Sequence, residues 1–336
     1  MTSLPLASVI TPCYNHEKYL DEYFEGLLSQ TYTHVELIFL DDGSADGSWE
    51  KVMSYESRLK NKFSKVILER HENIGFLPEV ASALERAAGE FFCLIGSDDT
   101  YLPTMLEEVV TYLLAHPEKG MVHGDTDYVY DDRIERQHWK STGRQIPQGF
   151  VFEDLLKRNF VMMCSACFRT DLLRRHGNFK NYTDRNYVVE DYPLLLDLAR
   201  HTEFGYIDKS LARYRVLSES MSHSKDPNKL LQFCKSIYRI KRDYIKKYGA
   251  ADKYRLLANK GWFRSLYYVG YDLDMKETAF QGYKWLRKNY PEEYGNYWHR
   301  ARALSMHNRF TWKVVKEIER RQVLHKTKKF LKLVPQ

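Results

Sequence analysis

Short apolar runs alternate with longer segments of helical periodicity over the first 130 residues of the chain. Runs typical of buried strands stand at five places: 7–12, 35–42, 65–72, 90–97 and 120–130. Between them, apolar residues recur at helical spacing in four segments: 17–30, 46–61, 77–89 and 102–117. Strands and helices in regular alternation predict an α/β fold with a Rossmann-like, doubly wound and mostly parallel sheet.

The pattern changes in the rest of the chain. Residues 131–224 are less regular, and within them Glu190 and Asp191 stand at the start of an apolar helix. From Asp226 onward, an Asp cap, a Pro at the first helical position and a terminating Gly249 predict a helix. The remainder reads as mainly helical. We therefore predict two domains, an α/β domain at 1–224 and an aromatic-rich helical domain at 225–336.

The charge divides along the same boundary. Residues 225–336 hold 27 Lys and Arg against 10 Asp and Glu, whereas the first 224 residues hold 24 against 35. An acidic domain is thus joined to a strongly basic one. The 43% hydrophobic and 29% charged residues are ordinary for a globular protein and argue against a fibrous or broadly disordered chain.

Cysteine usage and hydropathy bear on the compartment. Five cysteines at irregular spacing favour reduced thiols over a disulfide framework. Cys164 and Cys167 form a C-x-x-C that could be a redox pair or half of a zinc site, but no second ligand pair follows, and two small core residues are the simpler interpretation. No run approaches 18 apolar residues and the N-terminus has no signal-like segment, so we expect the chain on the cytosolic side.

Polar residues follow three of the predicted strands, where such sheets bind ligands. Asn15 follows the first strand, Asp41 and Asp42 end the second, and Asp98 and Asp99 follow the fourth. Turn chemistry explains each group alone, since "DDGS" suits a strand-to-helix turn. Together on one rim, the carboxylates suit Mg²⁺ or Mn²⁺, which take one or two protein carboxylates and complete their shell with phosphate oxygens.

Three segments carry a family resemblance: "ASVITPCYNHEKYLDEYFEGLLSQTYTHVELIFLDDGSADGS", "ENIGFLPEVASALERAAGEFFCLIGSDDTYLP" and "NYVVEDYPLLL". In this order and spacing, over residues 6–216, they resemble the inverting GT-A glycosyltransferases of family 2, of the bacterial surface-polysaccharide type. The resemblance implies a GT-A fold and transfer of a sugar from a nucleotide diphosphate-sugar, in the first place a UDP-sugar, to a hydroxyl of a glycan acceptor. It weakens after about residue 225.

The resemblance also implies roles for individual residues. It implies a donor site formed by Pro12, Tyr14, Asn15, Asp41, Asp42, Gly43, Asp98 and Arg215. Tyr14 would stack on the base, and Asp42, with Asp41 close behind, would accept a uracil N–H. Asp99 would ligate the metal, and Asp98 would face the ribose or share the metal. Glu190 and Asp191 match an "ED" motif in which the Asp is the usual catalytic base.

Three positions depart from the family pattern. Gly96 stands where many relatives have the first acid of the metal motif, and Val80 stands where an Arg is frequent. Leu217 occupies a position that is often His. Whether Arg215 or His223 completes the pyrophosphate site stays open at this point.

The basic C-terminal domain admits three interpretations. It is a solvated helical face, a nucleic-acid binder or a surface that binds an anionic membrane. No nucleic-acid-binding motif is present, so we expect no nucleic acid partner. Segments such as "RIKRDYIKKYG" and "VLHKTKKFLKLV" mix cations with apolar residues as interfacial helices do. This favours a peripheral protein on the inner face of the cytoplasmic membrane with a lipid-linked acceptor.

Two other functions compete with the leading one. A catalytically silent nucleotide-sugar or glycan-binding protein would have little reason to carry Asp191 together with Asp42, Asp98 and Asp99. A nucleotidyltransferase would be expected to show a Gly-rich phosphate loop after the first strand, and "TPCYNHEKY" is not one.

Overall fold

The computed structural model describes residues 4–217, 220, 224, 226–306 and 311–317. His223 and the segment "VLHKTKKFLKLV" lie outside these residues. The chain divides into two compact units, residues 1–220 and 221–336.

One sheet organises the first unit. Its strands are β1 (Ala7–Cys13), β2 (Val35–Asp41), β3 (Lys65–Arg70), β4 (Phe91–Leu94), β5 (Thr100–Tyr101), β6 (Lys119–Val129), β7 (Ile134–Glu135), β8 (Cys167–Arg169) and β9 (Glu203–Arg215). Their order is β3-β2-β1-β4-β8-β6-β9-β5, and β7 pairs with β6. Strands β3, β2, β1 and β4 are parallel, as are β6 and β9. This confirms the predicted fold class, although the short antiparallel strand β8 separates the two parallel groups.

Helices cover both faces of this sheet in the manner of a doubly wound fold. They are α1 (Leu20–Leu28), α2 (Ser48–Lys62), α3 (Phe76–Arg86), α4 (Met105–Ala115), α5 (His138–Ser141), α6 (Phe152–Lys157), α7 (Thr170–His176), α8 (Phe179–Asp184) and α9 (Asp191–Leu198). Every residue of β2 and β4 is buried, because helices pack above and below the strands. The carboxyl ends of the parallel strands are thus left uncovered by these helices.

The two cysteines of the C-x-x-C motif belong to this core. Cys164 and Cys167 are both buried, and Cys167 lies opposite Cys93 in the pairing of β8 with β4. Both thiols are free. The interpretation as small core residues fits this placement.

The second unit is helical. Its helices are α10 (Pro227–Tyr248), α11 (Asp252–Asp272), α12 (Lys276–Asn289), α13 (Pro291–Tyr294) and α14 (Tyr297–Ser305), and 311–317 are also helical. The Asp226 side chain accepts a hydrogen bond from the Asn228 N–H, and Gly249 takes a left-handed φ of 62° after the last turn, so both predicted ends of α10 are confirmed.

A cluster of aromatic side chains forms the core of this unit. Its buried members include Tyr267, Tyr271, Tyr283 and Trp312. Helices α11 and α12 approach closely, since a Cβ at Gly282 would lie 2.4 Å from the Tyr267 backbone nitrogen. Many of the aromatics that the sequence intersperses with cations therefore pack against one another. Across the described part of the chain, no helix combines the length and apolar character needed to cross a bilayer.

Candidate active site

The loop after β1 is tied to the loop after β2. The two strands pair in parallel with Cys13 opposite Asp41, so their ends coincide. Asn15 adopts a left-handed φ of 56°, its N–H donates to Ser44 Oγ at 2.9 Å, and its Oδ1 accepts from the Ala45 N–H at 2.8 Å. Pro12 lies within β1, and the Tyr14 side chain is half exposed at the rim.

The acidic pair Asp41 and Asp42, at the end of β2, organises the neighbouring backbone. Asp41 Oδ1 accepts from the Ser44 N–H at 2.7 Å, as expected of turn chemistry. The two oxygens of Asp42 accept from the Ile74 and Gly75 N–H groups at 2.6 and 2.9 Å. Gly43 has a φ of 74°, and a Cβ there would lie 3.0 Å from the Asn73 nitrogen, so the turn requires glycine.

A buried Glu and a His lie beside Asp42 and were not foreseen. His71 Nδ1 is 2.8 Å from the Glu72 carbonyl oxygen and 3.6 Å from Asp42 Oδ1, and His71 Nε2 is 3.1 Å from Glu79 Oε1. Burial, followed by the charges of Asp42 and Asp41, raises the pKa of Glu79 to about 8. Asp42, His71 and Glu79 could each offer one atom to a cation. The Asp42 oxygens are already held by backbone N–H groups, and His71 lies between Asp42 and Glu79.

The second acidic pair follows β4 in a tight turn, in which the Asp99 N–H donates to the Gly96 carbonyl at 3.1 Å. Asp99 is buried, and its Oδ1 accepts from the Arg215 N–H at 2.9 Å. Burial, followed by the charge of Asp98, raises the pKa of Asp99 well above its usual range. A Cβ at Gly96 would lie 2.6 Å from Asp98 Oδ1. A larger residue at position 96 would therefore displace the Asp98 carboxylate.

Arg215 at the end of β9 holds this turn from the other side. Its Nε donates to the Asp98 carbonyl oxygen at 3.1 Å, and its guanidinium is ion-paired with Glu22. The guanidinium also lies over the Tyr19 ring, 4.9 Å from its centroid. Much of the positive charge of Arg215 is thus already balanced by the protein.

His16 connects the two acidic loops and was also missed. Its Nδ1 lies 2.8 Å from Ser97 Oγ and 3.9 Å from Asp98 Oδ1, and its N–H donates to Ser48 Oγ at 3.0 Å. The predicted rim residues Asn15, Asp41, Asp42, Asp98 and Asp99 are therefore brought to one edge, with His16 and Ser44 bridging them.

The Asp98 and Asp99 pair has the chemistry of a divalent cation site. Both ligands offer carboxylate oxygen, the donor that Mg²⁺ and Mn²⁺ prefer. Asp98 is partly exposed, and among the described residues its carboxylate makes no hydrogen bond. Asp99 lies beside it, and burial together with the Asp98 charge raises the pKa of Asp99. The residues present therefore fit a divalent cation.

Glu190 and Asp191 begin α9, a helix that is otherwise buried against α6 and α7. Glu190 occupies the N-cap position, yet its side chain makes no capping hydrogen bond. Burial raises the pKa of Glu190 to about 7, with the Asp191 charge second. Burial also raises the pKa of Asp191 to about 6, against hydrogen bonds from the first N–H groups of the helix. Such values suit a carboxylate that exchanges a proton near neutral pH.

The two parts of the predicted site differ in how the structure connects them. Hydrogen bonds join the loop after β1 to the loops after β2 and β4, and another joins the loop after β4 to Arg215. Within the residues that the structure describes, no hydrogen bond or ion pair joins Glu190 or Asp191 to Asp98 or Asp99. Asp191 can therefore be changed without cutting the network that holds the acidic rim.

The family described as "Glycosyl transferase family 2" matches residues 8–176. TuaG, a Bacillus subtilis glycosyltransferase named for teichuronic acid biosynthesis, is 28% identical over 225 residues, covering 66% of this chain and 83% of TuaG. The Escherichia coli protein WfgD, named UDP-Glc:alpha-D-GlcNAc-diphosphoundecaprenol beta-1,3-glucosyltransferase, is 27% identical over 228 residues, covering 66% of this chain and 81% of WfgD.

A solved structure extends the comparison to the fold. The mannosyltransferase PcManGT from Pyrobaculum calidifontis, solved with GDP-Man and Mn²⁺, superposes with a TM-score of 0.57 at 14% identity, covering 93% of this chain and 87% of that one. At this identity the similarity supports the GT-A fold alone. With the family match spanning half of its length, the chain belongs to glycosyl transferase family 2.

Proposed function

We propose that this glycosyltransferase is metal-dependent and inverting, and that it transfers a sugar from a UDP-sugar to a hydroxyl of a lipid-linked glycan in bacterial polysaccharide biosynthesis. The observation that carries the proposal is the presence of two pairs of adjacent carboxylates in different settings. Asp98 and Asp99 lie together at the strand ends, whereas Asp191 lies beside Glu190 at the start of α9 and has a pKa raised to about 6.

The nucleoside would bind at the ends of β1 and β2. Tyr14 is half exposed, so its ring is free to stack on a base. Each Asp42 oxygen accepts one backbone N–H and keeps a second lone pair, which can accept the N–H of uracil. Pro12, Asn15, Asp41 and Gly43 shape the walls of this part of the donor site.

Asp98 and Asp99 would hold Mn²⁺ or Mg²⁺, which when bound offsets the negative charge that develops on the departing diphosphate. PcManGT, a fold neighbour, was solved with a nucleotide-sugar and Mn²⁺. Arg215 would act chiefly as a positioning residue, since its N–H and Nε groups hold Asp99 and the Asp98 backbone.

Asp191 would take the proton of the acceptor hydroxyl as the hydroxyl oxygen attacks the anomeric carbon. The bond from that carbon to the acceptor oxygen forms on one face while its bond to the diphosphate oxygen breaks on the other, so the configuration inverts and UDP leaves. Glu190, also proton-exchanging near neutral pH, flanks the base. General-base catalysis of this kind contributes about 10²- to 10⁴-fold to the rate.

The acceptor and location belong to the same proposal. The name of WfgD describes an acceptor sugar on a lipid diphosphate. The excess of cations after residue 224 suits an anionic membrane surface, each charge contributing on the order of 1 kcal/mol near the surface. We place the enzyme at the inner face of the cytoplasmic membrane, where such an acceptor is presented.

The donor prediction is tested by a thermal-shift screen of UDP-, GDP- and CDP-sugars with Mn²⁺ and with EDTA. We expect one or more UDP-sugars to raise the melting temperature only when Mn²⁺ is present, because the diphosphate needs the cation to approach two carboxylates. A shift of equal size in EDTA, or a preference for another base, would contradict the proposed donor site.

A further inference from the structure

The second unit contains a cavity of about 570 Å³ between α12 and α14. Four cations line it: Lys284, Arg287, Lys288 and Arg300. Among the residues that the structure describes, no carboxylate lines it. The volume falls within the range of small-molecule sites.

The helix periodicity explains how the cavity forms. On α12, Lys284, Arg287 and Lys288 stand three and four positions apart and so share one face with Phe280. On α14, Arg300 and Leu304 are likewise four apart. Two helix faces of the same mixed character therefore meet along one groove.

Within the described part of this unit, the four cations differ from other basic residues in their ion pairing. Lys260 pairs with Glu293, and Arg255 pairs with Asp252 at 2.9 Å. Within the described ranges, no ion pair or side-chain hydrogen bond engages the four cations of the cavity. Like charges this close repel one another, so an anion in the groove would be stabilising.

The apolar part of the lining narrows the class of anion. Leu304 is 73% exposed, and Phe280, Tyr283 and Ala303 complete the apolar wall. Residues 318–336 of this chain are a poor occupant, since they carry six Lys and Arg against one Glu. An anion attached to a hydrocarbon chain would match both the four cations and the apolar wall of the cavity.

We propose that this cavity binds the diphosphate of a lipid-linked acceptor, with the first carbons of the lipid against Leu304 and Phe280. The inference rests on the proposed function for the identity of the acceptor. In this proposal the helical unit holds the acceptor by its anionic end. The sequence alone predicted only a general attraction of this unit to anionic membranes.

Calorimetric titration with farnesyl diphosphate in EDTA tests the inference without turnover or donor binding. We expect the Lys284→Gln, Arg287→Gln double variant to bind about tenfold or more weakly than the wild type, because two charge-assisted contacts are lost. A control that removes two exposed cations of α10, Lys235→Gln with Lys246→Gln, should bind within about twofold of the wild type. Equal affinity of the cavity variant and the wild type would overturn the proposal.

Two further arms identify the ligand class. Inorganic pyrophosphate should bind the wild type more weakly than farnesyl diphosphate does. The Leu304→Ser variant should lose affinity for farnesyl diphosphate but not for pyrophosphate. If pyrophosphate binds as tightly as farnesyl diphosphate, the site does not recognise a lipid and the proposal fails. Leu304 is exposed, so Leu304→Ser should fold as the wild type does. Because the titration needs no metal, its outcome is independent of the donor screen.

Discussion

Replacing Asp191 by Asn is expected to lower kcat by about 10²- to 10⁴-fold while leaving the affinity for the UDP-sugar within about twofold. The amide cannot take the acceptor proton. The amide also carries no charge. The Asp191 pKa of about 6 shows that burial already disfavours the charged carboxylate, so the fold should tolerate the change. Single-turnover kinetics and a donor titration measure the two effects separately.

The same residue predicts the pH dependence of the wild type. Only ionised Asp191 accepts a proton, so kcat/KM should fall as the pH drops below about 6 to 7, the range set by Asp191 and Glu190. The residual activity of Asp191→Asn should lack this acidic limb. A matched control is Asp184→Asn, an exposed carboxylate on α8. Loss of donor binding in Asp191→Asn, or unchanged kcat, would remove Asp191 from its role.

Replacing Asp99 by Asn is expected to eliminate the Mn²⁺-dependent thermal shift with the UDP-sugar and to lower kcat by about 10²-fold or more. Asn keeps an oxygen that can accept the Arg215 N–H, so the turn after β4 should persist. The measurement pairs melting curves with and without Mn²⁺ with a transfer assay.

The stability of the metal-free variant distinguishes this outcome from misfolding. Removing a buried charge beside Asp98 should leave the melting temperature in EDTA equal to that of the wild type or higher, because burial disfavours ionised Asp99. Asp208→Asn, an exposed carboxylate on β9, serves as the control and should keep the Mn²⁺ shift. A full Mn²⁺ shift in Asp99→Asn would show that another group holds the cation.

Local signals in the sequence predicted much of the fold. The first four strands and helices, and both ends of α10, follow from periodicity and capping residues, which act over a few positions. Strand β9, by contrast, was missed. It spans Glu203–Arg215, where buried, partly exposed and exposed residues do not alternate regularly, and it is fixed by parallel pairing with β6, far away in the chain. Its last residue, Arg215, was identified only through the family resemblance.

The residues of the candidate site likewise divide into those that local sequence patterns reveal and those that they do not. The acidic residues could be found because they follow apolar runs directly. His16 could not, because its partner Ser97 is 81 positions away. One sequence feature did point to Glu79: it is a carboxylate within the otherwise apolar buried face of α3, beside Leu77 and Val80. Its contact with His71 depends on where α3 lies relative to the residue that follows β3, which no local pattern discloses.

Gly96 illustrates a departure that the structure explains. The sequence left open what the missing acid at this position means. The turn brings Asp98 Oδ1 to within 2.6 Å of where a Cβ would lie, so glycine leaves room for the Asp98 carboxylate beside Asp99. The proposed cation site therefore rests on two adjacent carboxylates.

The stereochemistry of transfer tests the central proposal most directly. Proton NMR would follow the wild-type enzyme with Mn²⁺, an α-configured UDP-sugar from the screen and, as acceptor, a farnesyl-diphosphate-linked sugar that supports turnover. We predict a new β-configured anomeric signal that grows in step with released UDP. An α-configured product, or UDP release with no new glycosidic signal, would contradict an inverting transferase that uses Asp191 as its base.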